Sequence, residues 1–180
     1  MKTRWRIVAI AAVLAALAAG PVWSESAPLG SHPTSPPLAK MNLYLTAGDY
    51  RRALEACQRS IDDAPSAATY VHLTYVYHAI DAYLEHLAKE ERWITVEHLY
   101  LNLASRGTED LVDPPGGLAR MAKEMIQLSV RQQSDVSAAM ANRLEKAEVD
   151  RLWTQQAKWR AIHPGTWWQS FPAAWIDGEG

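Results

Sequence analysis

The chain is poor in the features that lock a small fold from outside. It has 1 cysteine, Cys57, so no intramolecular disulfide is possible and stability has to come from burial. It has 1 phenylalanine against 8 tryptophans and 7 tyrosines, so aromatic packing falls to rings that also carry a polar tip. No stretch alternates apolar and polar residues over a useful length, which excludes a sheet and leaves an all-α fold. Excess basic charge is missing too. The chain carries 18 Lys and Arg against 20 Asp and Glu, interspersed along the helix faces, where binding a phosphate backbone needs clustered cations. This argues against nucleic acid as a partner.

The spacings of strong chemical motifs are equally absent. There is no His-Glu-x-x-His, no Cys-x-x-Cys-His, no Glu-x-x-His repeated on two helices and no Gly-x-Ser-x-Gly elbow. The expectation is a non-enzymatic protein with no catalytic residue, metal ligand or bound cofactor. Cys57 falls on an apolar stripe rather than at a helix start, the position of a buried small side chain and not of an activated thiolate.

The one long apolar run comes first. Lys2, Arg4 and Arg6 precede Ile7 to Ala19, and Gly20-Pro21 then ends the segment. This is the layout of a signal peptide, with cleavage expected after Ser24. A retained membrane anchor is the alternative, but the run is shorter than the roughly 20 residues a spanning helix uses. The only cysteine, Cys57, lies far downstream of the run, so lipid attachment at a processed N-terminal cysteine is excluded. Loss of residues 1–24 leaves 15 basic against 20 acidic side chains, a net charge of −5.

Residues 25–37 are rich in proline and serine and read as a linker. A helical domain is expected over 38–162. Leu38, Met41, Tyr44 and Leu45 share one helix face, and that helix stops at Gly48. Tyr50, Ala53, Leu54, Cys57 and Ile61 form the stripe of a second helix, which Asp62-Asp63-Ala64-Pro65 closes. Ser66 suits the N-cap of a third helix, Ala67 to about Lys89, apolar on more than one side and therefore central. A fourth helix spans Trp93 to Ala104. After Asp113-Pro114-Pro115-Gly116-Gly117, the residues Leu118, Met121, Ala122, Met125, Ile126 and Leu128 suggest the buried face of a fifth. A sixth is expected from about Asp135 to Ala161, with Val136, Met140, Leu144, Ala147 and Leu152 inward. Residues 163–180 carry Pro164, Gly165 and Pro172 among their aromatics and form an extended, Trp-rich C-terminal tail.

Within the first hairpin, Tyr44, Gly48, Asp49, Tyr50, Ala53 and Pro65 resemble the tetratricopeptide repeat, over about Pro37 to Pro65. The chain departs from the family pattern at Pro37, where a large apolar residue is usual, and at Met41, where a small one is. One 34-residue repeat onward, the equivalent positions are His78, Ala82, Tyr83, Leu84, Leu87 and Leu99, so the turn and the closing proline do not recur. The resemblance implies helical hairpins packed into a small bundle, and a scaffold that takes up a peptide or another subunit.

Two groups of side chains are candidates for a site. His78, Asp81 and Glu85 fall at i, i+3 and i+7 of the third helix, with His72 and His86 nearby, and would serve a small metal or cofactor carrier. Tyr70 and Tyr77, with Trp167, Trp168, Phe171 and Trp175 of the tail, offer rigid contact area for protein binding. The tail is expected to fold back on the bundle, because exposed tryptophans make a larger apolar patch than a monomer tolerates. The leading expectation is an exported, periplasmic or secreted, protein-binding scaffold or accessory subunit. Its partner would be a protein or complex of the cell envelope, with membrane contact only if the leader is kept.

Overall fold

A computed structural model describes residues 36–103 and 117–171. They fold into six helices: α1 (Pro36–Thr46), α2 (Tyr50–Asp63), α3 (Ala67–Lys89), α4 (Trp93–Leu103), α5 (Gly117–Leu144) and α6 (Lys146–Ile162), followed by a 3-10 turn, Trp167–Gln169. The fold is all-α, a small helical bundle. The expected leader, Trp175 and the linker up to residue 35 lie outside the described residues. Among the described residues, no helix is long and apolar enough to cross a membrane.

The first hairpin forms from local signals. α1 starts two residues earlier than its apolar face requires, because Pro36 and Pro37 occupy its first turn, where a missing N–H costs nothing. It ends at Gly48, whose φ of 73° is open to glycine without strain. The Gly48 N–H then bonds Leu45 O at 3.0 Å and the Asp49 N–H bonds Tyr44 O at 2.8 Å, the paired closure of a helix C-terminus. Asp49 caps α2 by accepting from the Arg52 amide at 3.1 Å. Met41, Leu45, Tyr50, Ala53, Cys57 and Ile61 are all buried between the two helices and α3. Cys57 packs as a core residue, 3.2 Å from the Met41 sulfur.

α3 is the axis of the bundle. Ser66 caps it in a reciprocal box with Thr69, and its buried residues face every neighbour, from Val71 and Val76 to Ile80, Leu84 and Leu87. It ends with Glu91 at φ 54°, a left-handed residue that lets the Arg92 N–H reach Leu87 O at 2.9 Å.

The two long C-terminal helices differ from expectation. α5 runs unbroken through Ser129–Ser134, a stretch without glycine or proline, and the chain breaks only at Glu145. Its buried stripe is Ala119, Ala122, Ile126, Val130, Ser134, Ser137 and Ala141. Most of these are small, and they let α5 approach α3 closely along their most extensive interface. Met121 and Leu128, expected inside, are 56% and 73% exposed. The break at Glu145 resets the helical phase, so α6 buries Val149, Leu152 and Gln156. Of the five residues expected inward on a single helix from Asp135, Leu152 is buried, whereas Val136, Leu144 and Ala147 face solvent.

Candidate functional site

Two faces of α3 bring chemistry-bearing side chains together. On the α5 side, Asp81 and Glu85 are one helical turn apart and meet a ladder of donors from the facing helix. Gln127 donates to Asp81 at 3.1 Å and also to Glu85. Arg131 contacts Asp81 at 3.2 Å and Lys123 contacts Glu85 at 3.1 Å. Burial raises the Glu85 carboxyl, but the contacts with Gln127 and Lys123 more than reverse this and hold it below the usual carboxylate range. The oxygens that a metal would need are therefore bonded across the helix interface. No cluster of three His, Cys, Asp or Glu is placed to hold a metal among the described residues.

His78 stands at the corner of this face. Arg160 of α6 lies 2.8 Å from its Nδ1, and Ser134 Oγ lies 2.8 Å from its Nε2. A guanidinium only donates, so Nδ1 is the acceptor and the neutral ring carries its proton on Nε2, donating to Ser134. This polarity is the reverse of what a histidine needs to take a proton from a serine. The Ser134–His78 pair is thus a structural contact and not a nucleophile with its base. Burial, and then Arg160, lower the His78 pKa against the pull of Asp81 and Asp135, which favours the same neutral ring. A hollow of about 70 Å³ opens here beside Tyr77. Another, of about 210 Å³, opens beside Tyr83, His98 and Asn102. Both are smaller than the several hundred Å³ typical of small-molecule sites.

The other face of α3 receives the C-terminal segment. α6 ends at His163, and Pro164 and Gly165 turn the chain back. The Trp167 N–H bonds His163 O at 2.9 Å to start the 3-10 turn. The tail is therefore not extended throughout, as its prolines implied, but turns once before Ser170 resumes an extended conformation. The Tyr75 hydroxyl donates toward Trp167 O at 2.5 Å and Ser170 O at 2.8 Å. The Phe171 N–H donates to Asn42 Oδ1 of α1 at 2.7 Å. The Phe171 ring stands edge-on to His72 and Tyr75, with centroids 4.6 and 4.8 Å apart. Trp168 packs on His86, and the Arg160 guanidinium lies 4.2 Å from the centre of the Trp167 ring.

These placements sort the residues singled out in the sequence. Trp168 and Phe171 are buried, at 7% and 2% exposure, and Trp167 is half-buried beside them. The described part of the tail, residues 163–171, folds back, as the apolar area of its rings required. Tyr70 is buried at 8% on the same helix, and Tyr77 is half-buried facing α5, its hydroxyl pushed up to about 12 by burial. Trp175 lies outside the described residues. The sequence reading missed Asn42, Arg160 and Ser134, and gave Tyr75 no role of its own. Only Tyr75 carried a signal, as a tyrosine on the same helix as Tyr70 and Tyr77; the others are ordinary polar residues whose partners are far away in the chain.

One residue of this face has no polar partner. His72 is 1% exposed, and neither ring nitrogen makes a hydrogen bond. Burial lowers its pKa to about 4, with Glu148 opposing and Arg151 adding to the effect. The Trp168 indole N–H is buried without a partner as well. Comparison with protein-family models, with curated proteins and with solved structures finds no match to this chain, so the reading of its function rests on this geometry.

Proposed function

We propose that this chain is an exported binding or scaffold protein, an accessory subunit of the cell envelope that acts through protein contacts. The observation that carries the reading is the outer face of α5. Met121, Leu128 and Val136 expose 56%, 73% and 54% of their surface on a single helix, at separations of seven and eight residues that repeat after two turns. Large apolar side chains gathered on one face mark a contact surface more often than singly scattered ones do. Leu43 on α1 and Ile94 on α4 are 69% and 67% exposed elsewhere on the bundle. The Asp81 and Glu85 carboxylates, by contrast, are engaged across the α3–α5 packing.

The α1–α2 hairpin supports a tetratricopeptide-like origin of the scaffold. Its Gly48 turn, its Asp49 cap and the close approach at Ala53 give that family's residues a physical use here. The basic leader and apolar run ending at Gly20-Pro21 support export, with the mature protein in the periplasm or secreted.

Capture of partners from an envelope extract tests the reading, with the full mature chain run beside the Met121→Glu/Leu128→Glu variant. A stoichiometric partner that the wild type retains and the variant loses is the expected result. Equal capture by both, or none by either, would overturn a contact surface on α5. Metal bound in stoichiometric amount to the same sample would instead favour a carrier.

A further inference from the structure

We propose that residues 163–171 form a pH-gated latch on α3, closed at neutral pH and released on acidification, with His72 as its proton-sensitive group. Release would expose Trp168 and Phe171 together with the seat they leave between α1 and α3. The proposal deepens the scaffold reading by naming a way in which contact surface is gated, and its test requires no partner.

The latch is ringed by histidines. The chain has 6, and four of them touch the segment or its immediate support. His72 meets Phe171 edge-on at 4.6 Å and His86 meets Trp168 at 5.4 Å. His163 packs on Trp159 at 4.0 Å and begins the turn. His78 accepts from Arg160, whose guanidinium covers Trp167. The side chains of Tyr75, Asn42 and Trp159, all neutral, bond to the segment's backbone. The turn itself is exposed at Pro164, Gly165 and Thr166, so the segment can swing without opening a helix.

His72 is the group most sensitive to a proton. A charged imidazole requires acceptors at both nitrogens, and no protein group supplies one to either nitrogen here. The charged groups that face it are Glu148 and Arg151 of α6, which are committed to each other through contacts of 2.7 and 2.8 Å. From the latch it meets the uncharged Phe171, and Tyr75 on its own helix is held neutral by burial. Moving Phe171 aside is the direct way to admit water. His78 acts in the same direction. It faces Arg160 of α6, Asp135 of α5 and Asp81 of its own helix, and its protonation would set two donors against each other where Arg160 holds Trp167. His86, which packs on Trp168, lies 3.4 Å from Glu90.

The sign follows from burial. The docked value for His72 is about 4, below the 6.5 of a free imidazole, so docking is fully favoured above the free value and weakens as pH falls toward the docked one.

An NMR titration of the full mature chain from neutral pH to about pH 4 tests the latch. The indole signals of Trp167 and Trp168 and the Phe171 amide report docking, the His72 ring proton reports protonation, and far-UV circular dichroism reports the helices. The expected result is loss of the docked signals in step with His72 titration while helicity is kept. In His72→Leu, which sacrifices no hydrogen bond, the midpoint should fall by about one pH unit or more. Release while His72 stays neutral, loss of latch and helices at one pH, or an unmoved midpoint in the variant would each overturn the proposal. Should His72→Leu fail to fold, the wild-type ring titration decides alone. Because no readout involves a partner, failure here leaves the α5 contact test intact, and the converse also holds.

Discussion

α3 solves the same packing problem in opposite ways on two faces. Toward α5 it buries small residues and closes the rim with charges that are all answered, Asp81 and Glu85 by Gln127, Arg131 and Lys123. Toward the tail it buries large rings and leaves polar atoms unanswered, at His72 and at the Trp168 indole. A fully paired face gains nothing by opening. A face with unsatisfied buried groups regains their hydration when it opens, so its net hold is weaker than its apolar area implies. The difference teaches that a helix in the centre of a bundle can be permanent on one side and releasable on the other.

The largest expected effect separates the two. Ile80→Ala, at a position with 0% exposure, should cost about 3 kcal/mol in urea unfolding followed by circular dichroism. Phe171→Ala removes a larger ring but should undock the tail and leave the helices cooperative, with a smaller shift of the same midpoint. Equal costs would mean that the tail and core are one unit, and the comparison would break.

Next in size is Tyr75→Phe. It deprives Trp167 O and Ser170 O of their shared donor, and a loss of about 1–2 kcal/mol is expected, seen as faster hydrogen exchange in residues 167–171 than in α5. Uniform exchange across both regions would argue against a separable segment. On the paired face, Asp81→Asn should cost only about 0.5 kcal/mol, because Arg131 is 61% exposed and screened by solvent. A loss several times larger would show that the α3–α5 ladder carries more of the fold than its exposure indicates.

One small effect is a gain. Glu91 is exposed and left-handed at the end of α3, and Glu91→Gly should stabilise the chain by about 0.5–1 kcal/mol, read from the thermal midpoint. No gain would mean that its contacts offset the backbone strain.

The sequence by itself determined the helical class, the first hairpin and the limits of α3. Gly48, Asp49, Pro65 and Ser66 act within a few residues of where they stand, through left-handed φ, side-chain caps and a missing N–H, and such signals need no tertiary partner. It also placed Cys57 in the core and brought the tail back to the bundle, because one stripe and one excess of apolar surface are enough to require it. Only the tertiary structure decided which face of α5 is buried. Hydrophobic spacing placed Ala122 and Ile126 inward, where they are, but it also favoured Met121 and Leu128, whereas close approach to α3 rewards Ala119, Ser134 and Ala141, whose small size a hydrophobic count undervalues. It also decided the phase of α6, which follows from a break at Glu145 that no glycine or proline announces. The candidate site belongs to the same category. Tyr75 and Trp167 are 92 residues apart, Asn42 and Phe171 are 129 apart, and the isolation of His72 depends on what packs around it. A hydrogen bond across that distance, or the lack of one, leaves no mark on the neighbouring sequence.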